Sequence, residues 1–282
     1  MRQTRVKTAM HRGSSRWRKR LQRLPSLLLG LILSVLVFSC ATAPETGRQQ
    51  LLLVSPGEEA RLGVQTFQQL KQQQPVVTRG QDVAMLQRVG ERISQVVSLP
   101  HARWEFVLFK DETPNAFALP GGKVGVNTGI LPITQDEAGL ATVIGHEIAH
   151  AVARHGAERM SHQMLVELGG AGISAALGAE AGGNRELIMQ AYGIGTQLGV
   201  LLPYSRTQEL EADQLGLLFM ARAGYDPRAA AAFWRRFAAY SARRGGPMLE
   251  FLSTHPLDQR RIAELEHSMP RAVAEHERAR AR

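Results

Sequence analysis

The sequence predicts an α+β fold that is mostly helical, with a small antiparallel β-sheet beside one central helix. Two observations support this prediction. Apolar residues recur at helical spacing from Leu140 to Val152 and in several other segments. Just before that helix, residues 104–110, 115–119 and 123–127 form short apolar runs, and a Pro-Gly-Gly turn separates the last two. Their length is typical of strands.

The basic residues of the chain are concentrated at its N-terminus. The 282-residue chain has a formal net charge of +9, and residues 1–23 contain many Lys and Arg residues but no acidic residue. The rest of the sequence is close to neutral, so the high pI gives no reason to expect a nucleic-acid partner. The length allows one sizeable core or two small domains.

Residues 1–39 are predicted to be a lipoprotein signal peptide. The basic stretch is followed by the apolar run 27–38, which is short for a bilayer span, and then by Cys40, the single cysteine. The residues that end at Cys40 resemble a bacterial lipobox, so we predict that Cys40 carries lipid and that residues 40–56 are a tether. This interpretation places the protein in the periplasm, anchored by lipid to the outer membrane of a Gram-negative bacterium. An uncleaved signal anchor is the alternative.

The remaining chain is predicted to form one domain over residues 57–269, followed by a charged, solvated tail at 270–282. Helical periodicity predicts helices at about 58–74 and 81–97, ahead of the strands. Residues 163–202 are rich in Gly, Ala and Leu, but charged residues interrupt them. We therefore interpret this segment as packed soluble helices and not as a membrane span.

His146, Glu147 and His150 form an H-E-x-x-H pattern in the central helix. A capping box of Thr134 and Glu137 predicts where this helix begins. Residues four apart lie on one helix face, so the two imidazoles project from the same side, as two ligands of one tetrahedral Zn²⁺ require. Glu147 lies beside them and can reach a water at the metal. The pattern alone also fits a helix with two surface histidines, so a third ligand has to be found.

Candidates for the third ligand lie on a later helix, whose start is predicted by a capping box at 205–208. Glu209 and Asp213 are four residues apart and share a face, whereas Glu211 points roughly to the opposite side and is the weaker candidate. His155 is expected to point away from the metal. We therefore predict that Glu209 is a ligand and that Asp213 fixes the tautomer of a ligand histidine.

Further segments complete a specific pattern over roughly residues 46–266. They are Thr46-Gly47-Arg48 with 52–55, 89–93, Asn115-Ala116-Phe117 with Pro120-Gly121-Gly122, Ala153-Arg154-His155, Tyr204-Ser205-Arg206 with 209–213, and 253–256 with Arg261-Ile262. Together with the H-E-x-x-H helix they resemble the HtpX-like and CAAX-prenyl-endopeptidase family of zinc metallopeptidases. Within it, the sequence is similar to the periplasmic lipoprotein branch that includes BepA and LoiP.

This resemblance implies a zincin-type metalloprotease core with one Zn²⁺ per chain. It implies that His146, His150 and Glu209 bind the metal and that Glu147 is the general base. The family's activity would make the protein a zinc-dependent endopeptidase of the bacterial cell envelope, which cleaves exposed or misfolded proteins in quality control. A latched, chaperone-like assembly factor with little proteolysis is the alternative.

Two further catalytic residues follow from the resemblance. His255 and Arg261 match an H-P-x-x-x-x-R segment that lies near the metal in the family. There the histidine either occupies the open coordination position in a resting state or helps to stabilise the oxyanion. A histidine that merely begins a helix is the structural alternative for His255.

An edge strand is the expected substrate-binding element. Asn115, Ala116 and Phe117 are predicted to hold an extended substrate by main-chain pairing, although a purely structural hairpin fits them equally well. The expected partners are therefore protein or peptide substrates, together with a membrane reached through the lipid. The sequence leaves the oligomeric state open.

Overall fold

The computed structural model describes residues 40–176, 205–244, 251, 255 and 259–281. The predicted signal peptide and most of the segment rich in Gly and Ala lie outside these ranges. The strands are β1 Cys40–Thr42, β2 Gln49–Leu51, β3 Val76–Val77, β4 Glu105–Phe109, β5 Ala116–Leu119 and β6 Lys123–Asn127. The helices are α1 Pro56–Gln73, α2 Gln81–Ser94, α3 Leu131–Thr134, α4 Glu137–Val152, α5 His155–Ala176, α6 Arg206–Arg222, α7 Arg228–Arg244 and α8 Gln259–Arg280.

A four-stranded sheet with the order β3-β4-β6-β5 supports the helices. β5 and β6 form the predicted antiparallel hairpin, in which Phe117 pairs with Gly125. The hairpin folds back so that β6 lies next to β4, and β6 therefore runs parallel to β4. The predicted α+β class is confirmed. The sheet is mixed where an antiparallel one was expected, because apolar periodicity carries no information about strand order.

The central helix α4 is covered on all sides. It packs against α6, α2, α7 and β5, and nearly all its residues are buried. The helix begins after Asp136, whose carboxylate accepts a hydrogen bond of 2.8 Å from Gly139 N–H. The predicted capping box of Thr134 and Glu137 is wrong, because Thr134 ends α3 and its hydroxyl donates to the Leu131 carbonyl.

The segment predicted as a tether is packed on the domain. β1 and β2 pair in an antiparallel hairpin, with Cys40 opposite Leu51. Arg48, which immediately precedes the returning strand, forms ion pairs with carboxylates of α5 and α6. Leu53 N–H donates to Ser161 Oγ over 2.8 Å. This segment is therefore structurally part of the domain. The sequence did not predict its packing, because so short a stretch shows no clear periodicity.

The segment predicted as a charged tail is the second half of α8. The helix passes through Pro270 and ends at Arg280. Leu265 and Ala272 are buried in the core, while charged residues occupy the exposed positions of the helix. α8 packs against α6 and α7 through an apolar stripe that continues into its C-terminal half. The sequence did not predict this stripe, because charged residues dominate the composition of the segment.

Residues 163–202, which we predicted not to span a membrane, are described by the structure only in part. α5 contains its beginning, up to Ala176. Within the described ranges, no helix is both long enough and apolar enough to cross a bilayer.

Candidate metal centre

Four side chains from distant parts of the chain converge beside α4. They are His146 and His150 of α4, Glu209 of α6, and His255, which precedes α8. All four are at least 97 % buried. The three histidine nitrogens and a carboxylate oxygen of Glu209 point at one another, which would be unfavourable without a cation between them.

The distances between these ligand atoms match a tetrahedral metal site. His150 Nε2 lies 3.1 Å from His146 Nε2 and 3.3 Å from Glu209 Oε1. His255 Nδ1 lies 3.3 Å from His146 Nε2 and 3.0 Å from Glu209 Oε1. A tetrahedron with metal–ligand distances of about 2.0–2.1 Å has edges of about 3.3–3.4 Å. The residues present therefore fit a bound metal.

Asp213 orients His146. Its Oδ1 lies 3.0 Å from His146 Nδ1, on the side of the ring opposite to the cluster. A proton on Nδ1 leaves the Nε2 lone pair facing the cluster, which is the tautomer that a metal ligand needs. The same helix thus carries Glu209 into the cluster and Asp213 behind it, one turn apart.

Arg261 holds these carboxylates from behind. Its Nε and Nη2 donate to the two oxygens of Asp213 over 2.7 and 2.8 Å, and its Nη1 lies 2.6 Å from Glu209 Oε2. The guanidinium also stacks over the ring of Trp234, with its carbon 4.4 Å from the centroid. Arg261 therefore contacts two carboxylates of the candidate metal site, which favours a positioning role over the predicted catalytic one.

The charges around the cluster favour a cation. Burial would raise the pKa of Glu209 and Asp213, but electrostatic interaction with His255 and Arg261 outweighs it for Glu209, and the charge and hydrogen bonds of Arg261 do so for Asp213. The pKa of both carboxylic acids is therefore lowered. Burial also lowers the pKa of His146, but the hydrogen bonds and negative charges of Asp213 and Glu209 outweigh it and raise that pKa to about 9. Two negative charges at this corner thus attract positive charge.

Glu147 is buried next to the cluster without joining it. Its Oε1 lies 3.5 Å from His255 Nε2, and the backbone N–H of Ala118 in β5 donates to its carboxylate. Burial raises the pKa of Glu147, partly opposed by the charges of His255 and His146. A carboxylate with a raised pKa, in contact with both the cluster and the edge strand, is suited to accept and return a proton.

His155 contacts the cluster in a way that the sequence did not indicate. It is fully buried, and its Nδ1 lies 2.8 Å from His150 Nδ1, on the side of His150 away from the cluster. His155 Nε2 lies 3.0 Å from Glu211 Oε2. The prediction that His155 points away from the metal assumed that the helix continues to this residue. Arg154 instead takes φ of 57°, which ends α4 and turns the chain.

Other residues predicted for the site lie around its margin. Ala116 and Phe117 are in β5, which is the edge strand of the sheet, and Asn115 precedes it. The Phe117 ring packs in an aromatic cluster with Phe67 and Phe109. The Phe117 side chain thus packs inside the protein, and substrate pairing along this strand stays a prediction. Nothing in the described residues bears on the lipid modification of Cys40, which stays a prediction.

The sequence is similar to characterised peptidases. Residues 81–269 match the model of Peptidase family M48. Relatives include the mitochondrial metalloendopeptidase OMA1 of Schizosaccharomyces pombe, 40% identical over 67% of this chain and 54% of that protein. OMA1 of Saccharomyces cerevisiae is 33% identical over 82% of this chain and 69% of that protein. The β-barrel assembly-enhancing protease of Escherichia coli K12 is 28% identical over 86% of this chain and 50% of that protein.

These comparisons correct the predicted location. The chain spans about half the length of several of these relatives, and many of them are named as mitochondrial. The predicted location, in the periplasm at the outer membrane of a Gram-negative bacterium, is therefore wrong. The error has a simple cause: an N-terminal segment rich in Arg and without acidic residues is also typical of mitochondrial targeting peptides.

Proposed function

Because the chain belongs to peptidase family M48, we propose that it is a zinc-dependent endopeptidase that cleaves exposed or misfolded segments of other proteins. The observation that carries the proposal is the convergence of His146, His150 and Glu209 beside the buried carboxylate of Glu147. The family is one of peptidases, as the sequence predicted. The identity of the metal and the nature of the substrates are the proposed parts.

Zinc is the metal that this donor set fits best. Imidazole nitrogens with one carboxylate oxygen, at the corners of a tetrahedron, are typical of catalytic zinc sites. His146, His150 and Glu209 would hold one Zn²⁺ per chain, and the fourth corner would be shared between His255 and water. A zinc ion held there supplies a Lewis acid that polarises the scissile carbonyl and lowers the pKa of water.

Glu147 is proposed to move the proton of the reaction. It accepts the proton of the attacking water at its carboxylate and returns it to the amine that leaves. The hydrogen bond from Ala118 N–H and the proximity of His255 restrict where this carboxylate can lie. If His255 leaves the fourth corner, its imidazole would remain beside Glu147, where it would stabilise the oxyanion.

β5 is proposed to align the substrate. It is the edge of the sheet, and its Ala118 contacts the proposed general base through the backbone. An extended substrate chain that pairs with this edge would lie close to Glu147 and would be held by main-chain hydrogen bonds. Because main-chain pairing needs an extended partner, unfolded or exposed segments are the expected substrates.

A second candidate function rests on His255. Its Nδ1 already occupies the fourth corner of the cluster, at 3.0 Å from Glu209 Oε1. If all four side chains held a metal, no tetrahedral position would remain for water, and the protein in this state would bind unfolded clients without cutting them. A latched, chaperone-like factor with little proteolysis is therefore the alternative to an active endopeptidase.

The Glu147→Gln variant distinguishes the two functions. Gln has the same shape but cannot accept the proton, so we expect normal zinc content and a rate of casein degradation that is lower by about 10²–10⁴-fold. Glu112→Gln, at an exposed position, is the matched control and should retain the wild-type rate. If wild-type protein suppresses client aggregation without cleavage, and Glu147→Gln does so equally well, the chaperone-like function is supported instead.

A further inference from the structure

Different side chains orient the two histidines of the H-E-x-x-H helix. His146 has the carboxylate of Asp213 at its Nδ1. The Nδ1 of His150 faces a second imidazole, that of His155, at 2.8 Å. His155 is fully buried and lies outside the four residues of the cluster. Its role is therefore not that of a ligand.

The protons along this chain of contacts can be assigned from the ligand geometry. His150 turns Nε2 to the cluster, 3.3 Å from Glu209 Oε1, so a metal-binding His150 must carry its proton on Nδ1. That N–H donates to His155 Nδ1, which must then be unprotonated. The proton of His155 is then on Nε2, from where it is donated to Glu211 Oε2 over 3.0 Å. Each partner thus fixes the tautomer of the next.

The N-terminal hairpin holds the far end of this chain. Glu211 accepts hydrogen bonds from the hydroxyl of Thr46 and from Nε of Arg48. The other two nitrogens of Arg48 donate to both oxygens of Glu158 over 2.7 and 2.8 Å. Arg48 therefore bridges α5, which carries His155, and α6, which carries Glu211. Its planar fork suits this double contact, which Lys could not reproduce.

We propose that His155 and Glu211 are positioning residues that fix the metal-binding tautomer of His150, and that Arg48 of the β1–β2 hairpin is required to hold them. The inference rests on the proposed metal-binding function. It extends the metal site to a hairpin that contributes no ligand. Removing the orienting partner of a metal-binding histidine typically lowers metal affinity by about 10–100-fold.

Zinc affinity of the purified chain, measured by competition with a chromophoric chelator, tests the proposal. His155→Leu should weaken zinc binding by about 10–100-fold. His155→Gln should restore most of the affinity, because an amide can accept from His150 and donate to Glu211 at once. A Co²⁺-loaded sample should show an altered visible spectrum for the Leu variant and a near-normal one for the Gln variant. His162→Leu, at an exposed position of the same helix, is the control.

A variant in the β1–β2 hairpin controls for a folding defect caused by replacing a buried histidine. Arg48→Gln leaves the buried histidines intact, and we expect it to weaken zinc binding by about tenfold. The proposal is overturned if His155→Leu binds zinc within twofold of wild type, or if His155→Gln is as impaired as His155→Leu. A wild-type chain that binds no zinc would instead refute the proposed function itself. Zinc binding with casein cleavage in wild type, but unchanged affinity in both variants, would refute the positioning role alone.

Discussion

Gly145 and Gly216 lie in contact where α4 crosses α6. A Cβ added to Gly145 would lie 2.9 Å from the carbonyl oxygen of Gly216, and one added to Gly216 would lie 2.7 Å from the backbone nitrogen of His146. The two helix backbones therefore approach more closely than side chains would allow. This approach brings Glu209 and Asp213 of one helix to the histidines of the other.

Gly216→Ala should separate the two helices. The new methyl group meets backbone and cannot be accommodated by a side-chain rotation, so we expect a loss of stability of about 1–3 kcal/mol, with weaker zinc binding. Thermal unfolding and chelator competition measure the two effects. Gly156→Ala is the matched control, because an added Cβ there has no neighbour within 4 Å. Equal unfolding temperatures for both variants would contradict the close packing.

Replacing the two nearby glutamates should separate ligation from positioning. Glu209→Ala removes a ligand atom, so we expect the stoichiometric zinc to be lost. Glu211→Ala should keep about one zinc per chain at saturating metal but bind it about tenfold more weakly, since Glu211 acts only through His155. Metal analysis after gel filtration, followed by a zinc titration, distinguishes these results. Full zinc retention by Glu209→Ala would show that another residue is the third protein ligand.

His255→Ala tests whether the fourth corner is latched. If His255 Nδ1 displaces water in the resting state, the variant should degrade casein and itself about several-fold faster than wild type. If the imidazole stabilises the oxyanion, turnover should instead fall by about 10²–10³-fold with zinc still bound. We expect the first result. The double variant with Glu147→Gln should be inactive, which excludes a contaminating protease. An unchanged rate would assign His255 a structural role only.

The ion pair between Glu158 and Arg48 should make stability depend on pH. Burial would raise the pKa of Glu158, but hydrogen bonds from Arg48 and Gln208 outweigh it and lower the pKa from the usual 4.5. A carboxylate whose pKa is lower in the folded state stabilises the fold at pH values above 4.5 and loses that contribution as the pH falls through the lowered pKa. Glu158→Gln should therefore be less stable by about 1–3 kcal/mol at pH 7, with a difference that shrinks below pH 4.5. Denaturant unfolding at several pH values, without metal, measures this difference; a constant difference down to pH 3 would contradict it.

Helical spacing predicted those parts of the site that lie within single helices. His146 and His150 do share one face of α4, and Glu209 and Asp213 do lie one turn apart on α6, with Glu211 turned away from the cluster. Such placements follow from local geometry, which the sequence encodes directly. They needed no knowledge of how the helices pack.

The features that the sequence did not predict depend on breaks in that local geometry. The positive φ of Arg154 rotates His155 back towards His150, which no helical wheel can represent. The parallel pairing of β6 with β4 and the docking of Arg48 on two helices arise from contacts between segments far apart in the chain. Periodicity describes which face of an element is apolar, but not which distant element covers it.

The order in which the cluster residues occur along the chain has a consequence for synthesis. His146 and His255 are 109 positions apart, and Glu209 and His255 are 46 apart. The ribosome therefore makes the H-E-x-x-H helix well before Glu209 and His255. Until α6 has been made, the chain lacks the carboxylate that would join His146 and His150 in the proposed metal site. That site can therefore form only after α6 has been synthesised and has packed on α4.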